Sequence, residues 1–329
     1  MPSNEIQAAF QEFERERVRV PKAEIEAAKS VHPLVTGFYE QELKAVERAK
    51  LVGSFARKTQ AAHLKDIDEL IVIDDPDGWW QASAGRALSR VAEVAVRCPL
   101  IYDAEPRVRA VRLRLRDYPF FIDIVPAIKP ANGSGLLLAR RQPDEGLDDW
   151  TLENPEGQLL AATTKNLTCA GGYVPAVRII KFWNQSVDKP LHSYHAEAIM
   201  WHALAGPTDY GSAVLAFFQA AVKALAPGQH VPDPGNPSKC VDDRLENQER
   251  AHALRVVSDT LAQVQRAVAL VGDQALEAWA NIMGPAFPAP STHPDQLRNA
   301  LVAGNVAATG AGMRAAAGRP IIQPRSWRQ

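Results

Sequence analysis

Apolar positions give the first reading of the chain. Ile6, Phe10 and Phe13 recur at helical spacing with charges between them, and after Pro21, suited to a first helical turn, Ile25, Ala28 and Val31 begin a second stripe. Pro33 is expected to interrupt or kink that stripe. Phe38, Leu43 and Val46 carry the apolar pattern to Val52, which predicts a long helix delivering the chain to Gly53. The period then changes. Residues 67–73 are rich in β-branched and apolar side chains and end at the turn cluster DDPDG, which predicts a buried strand. An Ala-rich helix over 79–97 follows, with Trp79 and Trp80 packing it onto the sheet. Strands are expected near 108–115 and 120–125, and a further one at 136–139 after the flexible ANGSG at 131–135.

From Pro155 onward the period is helical, with helices expected at 155–169, 174–187, 193–205, 209–226, 246–270 and 272–283. The segment PDPGNPSKC (232–240) reads as a rigid loop, residues 284–297 are Pro-rich, and the last ten or so residues are expected to be poorly ordered. The organisation expected is an N-terminal helix plus a mixed-sheet lobe over 1–150, a helical lobe over 151–300, and an Ala/Gly-rich tail over 301–329, an α/β (α+β) chain.

Composition narrows this only a little. The 37 basic and 38 acidic residues leave a net charge of −1, so nothing demands a polyanionic partner, and a nucleic-acid activator is not indicated. Cys98, Cys169 and Cys240 are odd in number and far apart, which argues against a cysteine-built zinc site or a disulfide framework and fits a reducing cytoplasm. No apolar run reaches the roughly 20 residues that span a bilayer, so no membrane partner is expected.

The chemistry concentrates in LVGSFARKTQAAHLKDIDELIVID (51–74). Gly53 lets backbone approach a phosphate closely and Ser54 adds a hydroxyl donor. On a strand, Asp66 and Asp68 point to one face while Ile67 faces the core. Two carboxylates held so close repel each other unless a cation lies between them, although an Asp-x-Asp at a strand start also serves as a turn or cap device. Asp123 sits inside the apolar run FIDIV (121–125), where an unpaired carboxylate is expensive. If the two strands pair, Asp66, Asp68 and Asp123 form the three-carboxylate set that two Mg²⁺ (or Mn²⁺) ions require for phosphoryl transfer.

Gly-Ser, then Asp-x-Asp, then a distant Asp on an apolar strand resembles the DNA polymerase β-like nucleotidyltransferase superfamily. GSFARKT with DIDELIVI, FFIDIVPAI (120–128) and ENPEG (153–157) narrow the resemblance to the CD-NTase family of bacterial cyclic-oligonucleotide synthases, similar to cyclic GMP-AMP synthase and 2′-5′ oligoadenylate synthase. VRIIKFWNQ (177–185), LHSYHAEAIMWHAL (191–204) and DPGNPSKCVDDRL (233–245) agree, so that the resemblance covers about residues 35–270. It implies a sheet lobe and a helical C-terminal lobe about a central cleft. It also implies that Asp66, Asp68 and Asp123 are catalytic and metal-binding, and that Gly53, Ser54, Lys181 and Ser193 serve the nucleotide phosphates while Tyr194 stacks on a base. The activity implied is condensation of NTPs into a cyclic di- or oligonucleotide second messenger for anti-phage signalling, with a separate effector downstream and an activating protein as a further partner. Lys58 departs from the glycine that relatives often carry there.

Two other readings remain open. One is a transferase that modifies tRNA or RNA ends or a protein; the other is a non-catalytic nucleotide-binding sensor. Elsewhere, Arg112, Arg114 and Arg116 read as a solvated sheet face or a phosphate-contacting stripe, with the solvated face preferred. Arg57 and Lys58 flank the Gly-Ser loop within reach of substrate phosphates. His192, His195, His202 and Glu197 lack HExxH spacing, and His195 is expected to be a satisfied, partly buried histidine. Trp183 is expected in the core, and Lys165 is expected to be solvated.

Overall fold

A computed structural model describes residues 4–131, 135–243, 245–288 and 290. The Ala/Gly-rich tail, the centre of ANGSG and most of the Pro-rich stretch lie outside the described residues. The N-terminal region is two helices rather than one long one. Helix α1 (Asn4–Phe13) runs through a π turn at Glu14–Val18, and α2 (Lys22–Glu42) follows. Pro33 does not interrupt α2. It lies on the exposed side, while Ala28, Val31, Val35 and Tyr39 are buried on the other side.

The pattern also misleads at 46–52. These residues form strand β1 (Val46–Val52), followed by a single turn, α3 (Gly53–Ala56). The strands β2 (Asp66–Ile73), β3 (Ile101–Pro106), β4 (Val111–Leu115) and β5 (Phe121–Ile128) complete the order β1-β2-β5-β4-β3, with α4 (Ala84–Ala95) between β2 and β3. Strand β6 (Leu136–Gln142) joins the end of β5 and pairs with β7 (Leu147–Glu153). Strands β3 and β7 were not expected: β3 is exposed over most of its length, and β7 has no buried residue. Within the sheet β2 and β5 are parallel, and β1 runs antiparallel to β2.

Alternation along β2 and β5 sorts the chemistry from the core. Ile67, Ile71 and Ile73 of β2, with Ile122, Ile124 and Ile128 of β5, pack into the core that α2 and α4 cover. Tyr39 Oη donates to the Val91 carbonyl at 3.1 Å, tying the two helices together. Leu70, Val72, Val125 and Ala127 lie on the opposite face in a small apolar cluster with Val52 and Leu136. Asp66, Asp68 and Asp123 share the period of this second face, at the ends of their strands where the apolar cluster stops.

The second core is helical. Helices α5 (Pro155–Thr168), α6 (Tyr173–Ser186), α7 (Ser193–Ala203), α8 (Tyr210–Ala224), α9 (Asn247–Ala269) and α10 (Gly272–Met283) bury Trp183, Phe217, Phe218 and Trp279 together. α1 belongs to this core and not to the sheet: Phe10 meets Trp279 edge-on at 4.9 Å and Phe13 meets Phe182 at 5.2 Å. ENPEG acts as a helix start, because the Asn154 side chain accepts from Gly157 N and Pro155 occupies the first turn. The expected rigid loop at 232–240 is a small hairpin, β8 (Pro232–Asp233) with β9 (Asn236–Cys240). Lys165, expected in solvent, donates to the Leu204 carbonyl at 2.8 Å and lies over Trp201.

Candidate active site

The parallel pairing of β2 and β5 sets Asp68 directly opposite Asp123, with Asp66 two residues before on the same face. The three expected carboxylates are therefore brought together. Burial and the charges of Asp66 and Asp123 push Asp68 up to about 7. Burial and the charge of Asp123 raise Asp66 as well. A like-charged cluster of hard oxygen donors in this condition suits divalent cations such as Mg²⁺, which would relieve the repulsion.

One protein cation already meets the cluster. Arg112 on β4 lies opposite Asp123 in register. Its Nε donates to Asp123 Oδ1 at 2.8 Å, and its Nη2 donates to Asp123 Oδ2 at 2.7 Å and to Asp66 Oδ2 at 3.0 Å. The preferred reading of the arginine stripe as a solvated face therefore fails at Arg112, although Arg114 is exposed. Sequence could not show this, because it depends on which β5 residue faces β4.

The Gly-Ser loop is held against the same carboxylates. β1 ends with Val52 opposite Asp68, so Gly53 begins the turn beside that carboxylate. Gly53 has φ +67, and a Cβ there would fall onto the Asp68 carboxylate. Both facts restrict the position to glycine. Ser54 follows, half-buried, in the first turn of α3. Lys58 has φ 60, a left-handed conformation that favours glycine.

Beneath the loop lies a buried ionic network that the sequence did not reveal. Glu197 on α7 accepts from Arg57 Nε at 2.6 Å, from Thr59 Oγ1 at 2.9 Å and from Lys181 Nζ at 2.8 Å. Lys181 also reaches Thr59 Oγ1 at 3.3 Å. Burial alone would raise Glu197, but the charges of Arg57 and Lys181, and the bonds from both, hold it down at about 2. Burial lowers Lys181 despite the charge of Glu197. Arg57 is thus committed to Glu197, and the ammonium of Lys181, expected to serve the nucleotide phosphates, is instead buried under the loop and bonded to Glu197 and Thr59. A pattern of the form K-x15-E hides this pairing because it crosses from α6 to α7.

Tyr194 stands next to this network. Arg57 sits 4.9 Å from the centre of its ring, and its hydroxyl donates to Asp233 Oδ1 at 2.7 Å. Burial, together with the charge of Asp233, raises its pKa. Ser193 is exposed at the first residue of α7. The hairpin β8–β9 therefore positions Tyr194, which explains a use for the Asp-Pro segment beyond that of a loop.

His195 is buried as expected, but among the described residues neither ring nitrogen has a hydrogen-bond partner, and burial lowers its pKa to about 4. Trp183 is in the core as expected; Trp80 is buried and Trp79 is largely exposed. A second group of possible metal donors, His230, Cys240, Asp242 and Asp243, has its ligand atoms within 4.8 Å of one another. There Asp242 is already engaged by Val231 N and by Arg250 Nη2 at 2.7 Å.

No protein-family model matches the chain, and no curated protein matches it in sequence. Solved structures do match its fold. CdnC of E. coli MS115-1, in complex with HORMA-deltaN, aligns with a TM-score of 0.67 at 17% identity, over 86% of this chain and 98% of that one. The CD-NTase CdnG of Bradyrhizobium diazoefficiens, in complex with GTP, aligns with a TM-score of 0.69 at 12% identity, over the same shares of the two chains. The cyclic AMP-GMP synthase DncV of Vibrio cholerae aligns at 0.57 and 13%, over 86% of this chain and 87% of that one. The chain has the bilobed nucleotidyltransferase fold. Its particular form is that of the CD-NTases.

Proposed function

We propose that this protein is a nucleotidyltransferase that condenses NTPs into a cyclic di- or oligonucleotide. The observation that carries the reading is the in-register pairing of Asp68 with Asp123, with Asp66 on the same face and Gly53 against Asp68. The likeness to structures of a cyclic AMP-GMP synthase and of a GTP-bound CD-NTase supports it. A non-catalytic sensor has no use for this carboxylate set.

Asp66, Asp68 and Asp123 would hold the two divalent cations. Bound there, such ions acidify an attacking hydroxyl and neutralise a triphosphate and its leaving pyrophosphate. The chain's own residues then do the following. The Gly53 backbone and the Ser54 hydroxyl orient the donor phosphates, and Ser193, at the start of α7, adds a hydroxyl at a helix N-terminus that favours anions. Tyr194 offers a base the ring face away from Arg57, while Asp233 fixes its tilt. Lys181 acts from beneath, setting the loop through Thr59 and Glu197. A ribose 2′- or 3′-hydroxyl attacks the donor α-phosphorus in line and the bond to the bridging oxygen breaks. Asp123 would receive the hydroxyl proton once Arg112 has left it. A second round on the bound linear product closes the ring.

In this reading the product acts on a separate effector in anti-phage signalling. An activating protein is part of it, supported by the solved complex of CdnC with a HORMA protein. The test is incubation with all four NTPs and Mg²⁺ or Mn²⁺, followed by phosphatase and mass spectrometry, with the double variant Asp66→Ala/Asp68→Ala as control. A phosphatase-resistant cyclic product made only by the native chain supports the reading. Label transferred instead to added RNA or protein sinks it.

A further inference from the structure

Arg112 uses both carboxylate oxygens of Asp123 and one of Asp66, at 2.7 to 3.0 Å. The fork of a guanidinium on a carboxylate fills the same lone pairs that a metal ion needs. Arginine cannot discharge by losing a proton, so it vacates those oxygens only by moving. Its backbone is fixed in β4 between β3 and β5, and its guanidinium lies 4.9 Å from the centre of the Phe121 ring. Movement therefore falls to the side chain, which is 28% exposed and has solvent to turn into. Arg114, two residues on, lies opposite Phe121 in register, with its guanidinium 5.8 Å from the centre of that ring, and meets no carboxylate of the cluster among the described residues.

We propose that Arg112 is a resident counter-ion of the carboxylate cluster, which divalent cations must displace from Asp123 and Asp66 before the site can load. The proposal rests on the metal-binding reading of the three aspartates. In the metal-free protein Arg112 offsets part of their mutual repulsion. When a cation arrives, the guanidinium opposes it, both by filling lone pairs and by charge. Arg112 thus sets the metal concentration at which the site fills, and acts as a positioning residue for the carboxylates.

The test is Mn²⁺ binding to the full chain, read from the free-ion electron paramagnetic resonance signal, for the native protein, Arg112→Gln, Arg112→Lys and Arg114→Gln. Circular dichroism checks that each is folded. Removing one unit charge at ion-pair distance lowers the Mn²⁺ Kd in Arg112→Gln by about tenfold. Arg112→Lys, which keeps the charge but loses the fork, falls between the two, and Arg114→Gln stays within about twofold of native because its charge is exposed and screened. Melting curves give a second reading: Arg112→Gln melts below native in chelator and gains more from added Mn²⁺. If the native protein binds Mn²⁺ and Arg112→Gln binds it equally or more weakly, the counter-ion proposal is wrong while the metal site stands. If neither folded protein binds Mn²⁺, both fall together.

Discussion

Glu197 is the residue whose loss the structure prices most clearly. It is buried with Arg57, Thr59 and Lys181 all donating to it. Glu197→Gln keeps the shape but leaves two buried cations without their anion. Its pKa is held at about 2, against an ordinary 4.5. That difference of roughly 2.5 on the pH scale, at about 1.4 kcal/mol each, corresponds to about 3 kcal/mol of stabilisation at neutral pH. The range measured for breaking one side of a buried ion pair, about 3–5 kcal/mol, agrees. Because the folded pKa is depressed, this stability is fully present above the unfolded value near 4.5 and is lost as pH falls toward 2. Urea denaturation of native protein and Glu197→Gln at pH 7, repeated at intervals down to pH 3, measures it. The gap between the two is expected to be about 3 kcal/mol at pH 7 and to narrow below pH 4.5. A gap under about 1 kcal/mol at pH 7, or one that does not change with pH, refutes the reasoning, because the network would then resemble a solvent-screened surface pair.

Three further outcomes follow from the site. Gly53→Ala places a methyl group on the Asp68 carboxylate and strains a φ of +67; a displacement of this kind is expected to cost about a hundredfold or more in turnover of labelled NTP, with the circular dichroism spectrum unchanged. Lys58→Gly relieves a left-handed φ of 60 and is expected to raise stability by about 1 kcal/mol in chemical denaturation. Asp68, pushed up to about 7, works in the opposite sense to Glu197. The folded state holds its proton more tightly than the unfolded state, so metal-free stability falls as pH rises from about 4 to 7. Asp68→Asn is therefore expected to stabilise the metal-free protein at pH 8, on the order of 2 kcal/mol after screening, and to make little difference at pH 4. A thermal melt in chelator at both pH values decides it.

How far the sequence disclosed this molecule depended on how local each signal was. The strand at Ile67 and the helices from Pro155 to Met283 were legible because their apolar periods are unbroken over many residues. Strand β1 was not, because Val46, Leu51 and Val52 fit a continuing helix as well as an edge strand. Pro33 was overread, because a proline on the exposed side of a helix costs less than one facing a core. The three aspartates could be proposed to converge, since alternation alone places Asp66 and Asp68 on one face. That Asp123 joins them rested on a strand pairing that only the fold supplies. Arg112 on Asp123, Lys181 under the loop and Tyr194 on Asp233 are contacts between residues 11 to 122 positions apart, for which a single sequence carries no local signal. Lys58 is an instructive exception. The resemblance marked Lys58 as a departure from an expected glycine, and its left-handed backbone is a conformation that favours glycine.

Pyrophosphate release is the most direct test of the claim that these carboxylates transfer nucleotides. The native chain and Asp123→Asn are each incubated with all four NTPs and Mg²⁺ or Mn²⁺, with an α-labelled NTP present. Pyrophosphate and phosphatase-resistant label are counted together. Matched appearance of both in the native protein, and neither in a folded Asp123→Asn, is the result expected. Equal release by the two proteins, or phosphatase-resistant label without pyrophosphate, would contradict it.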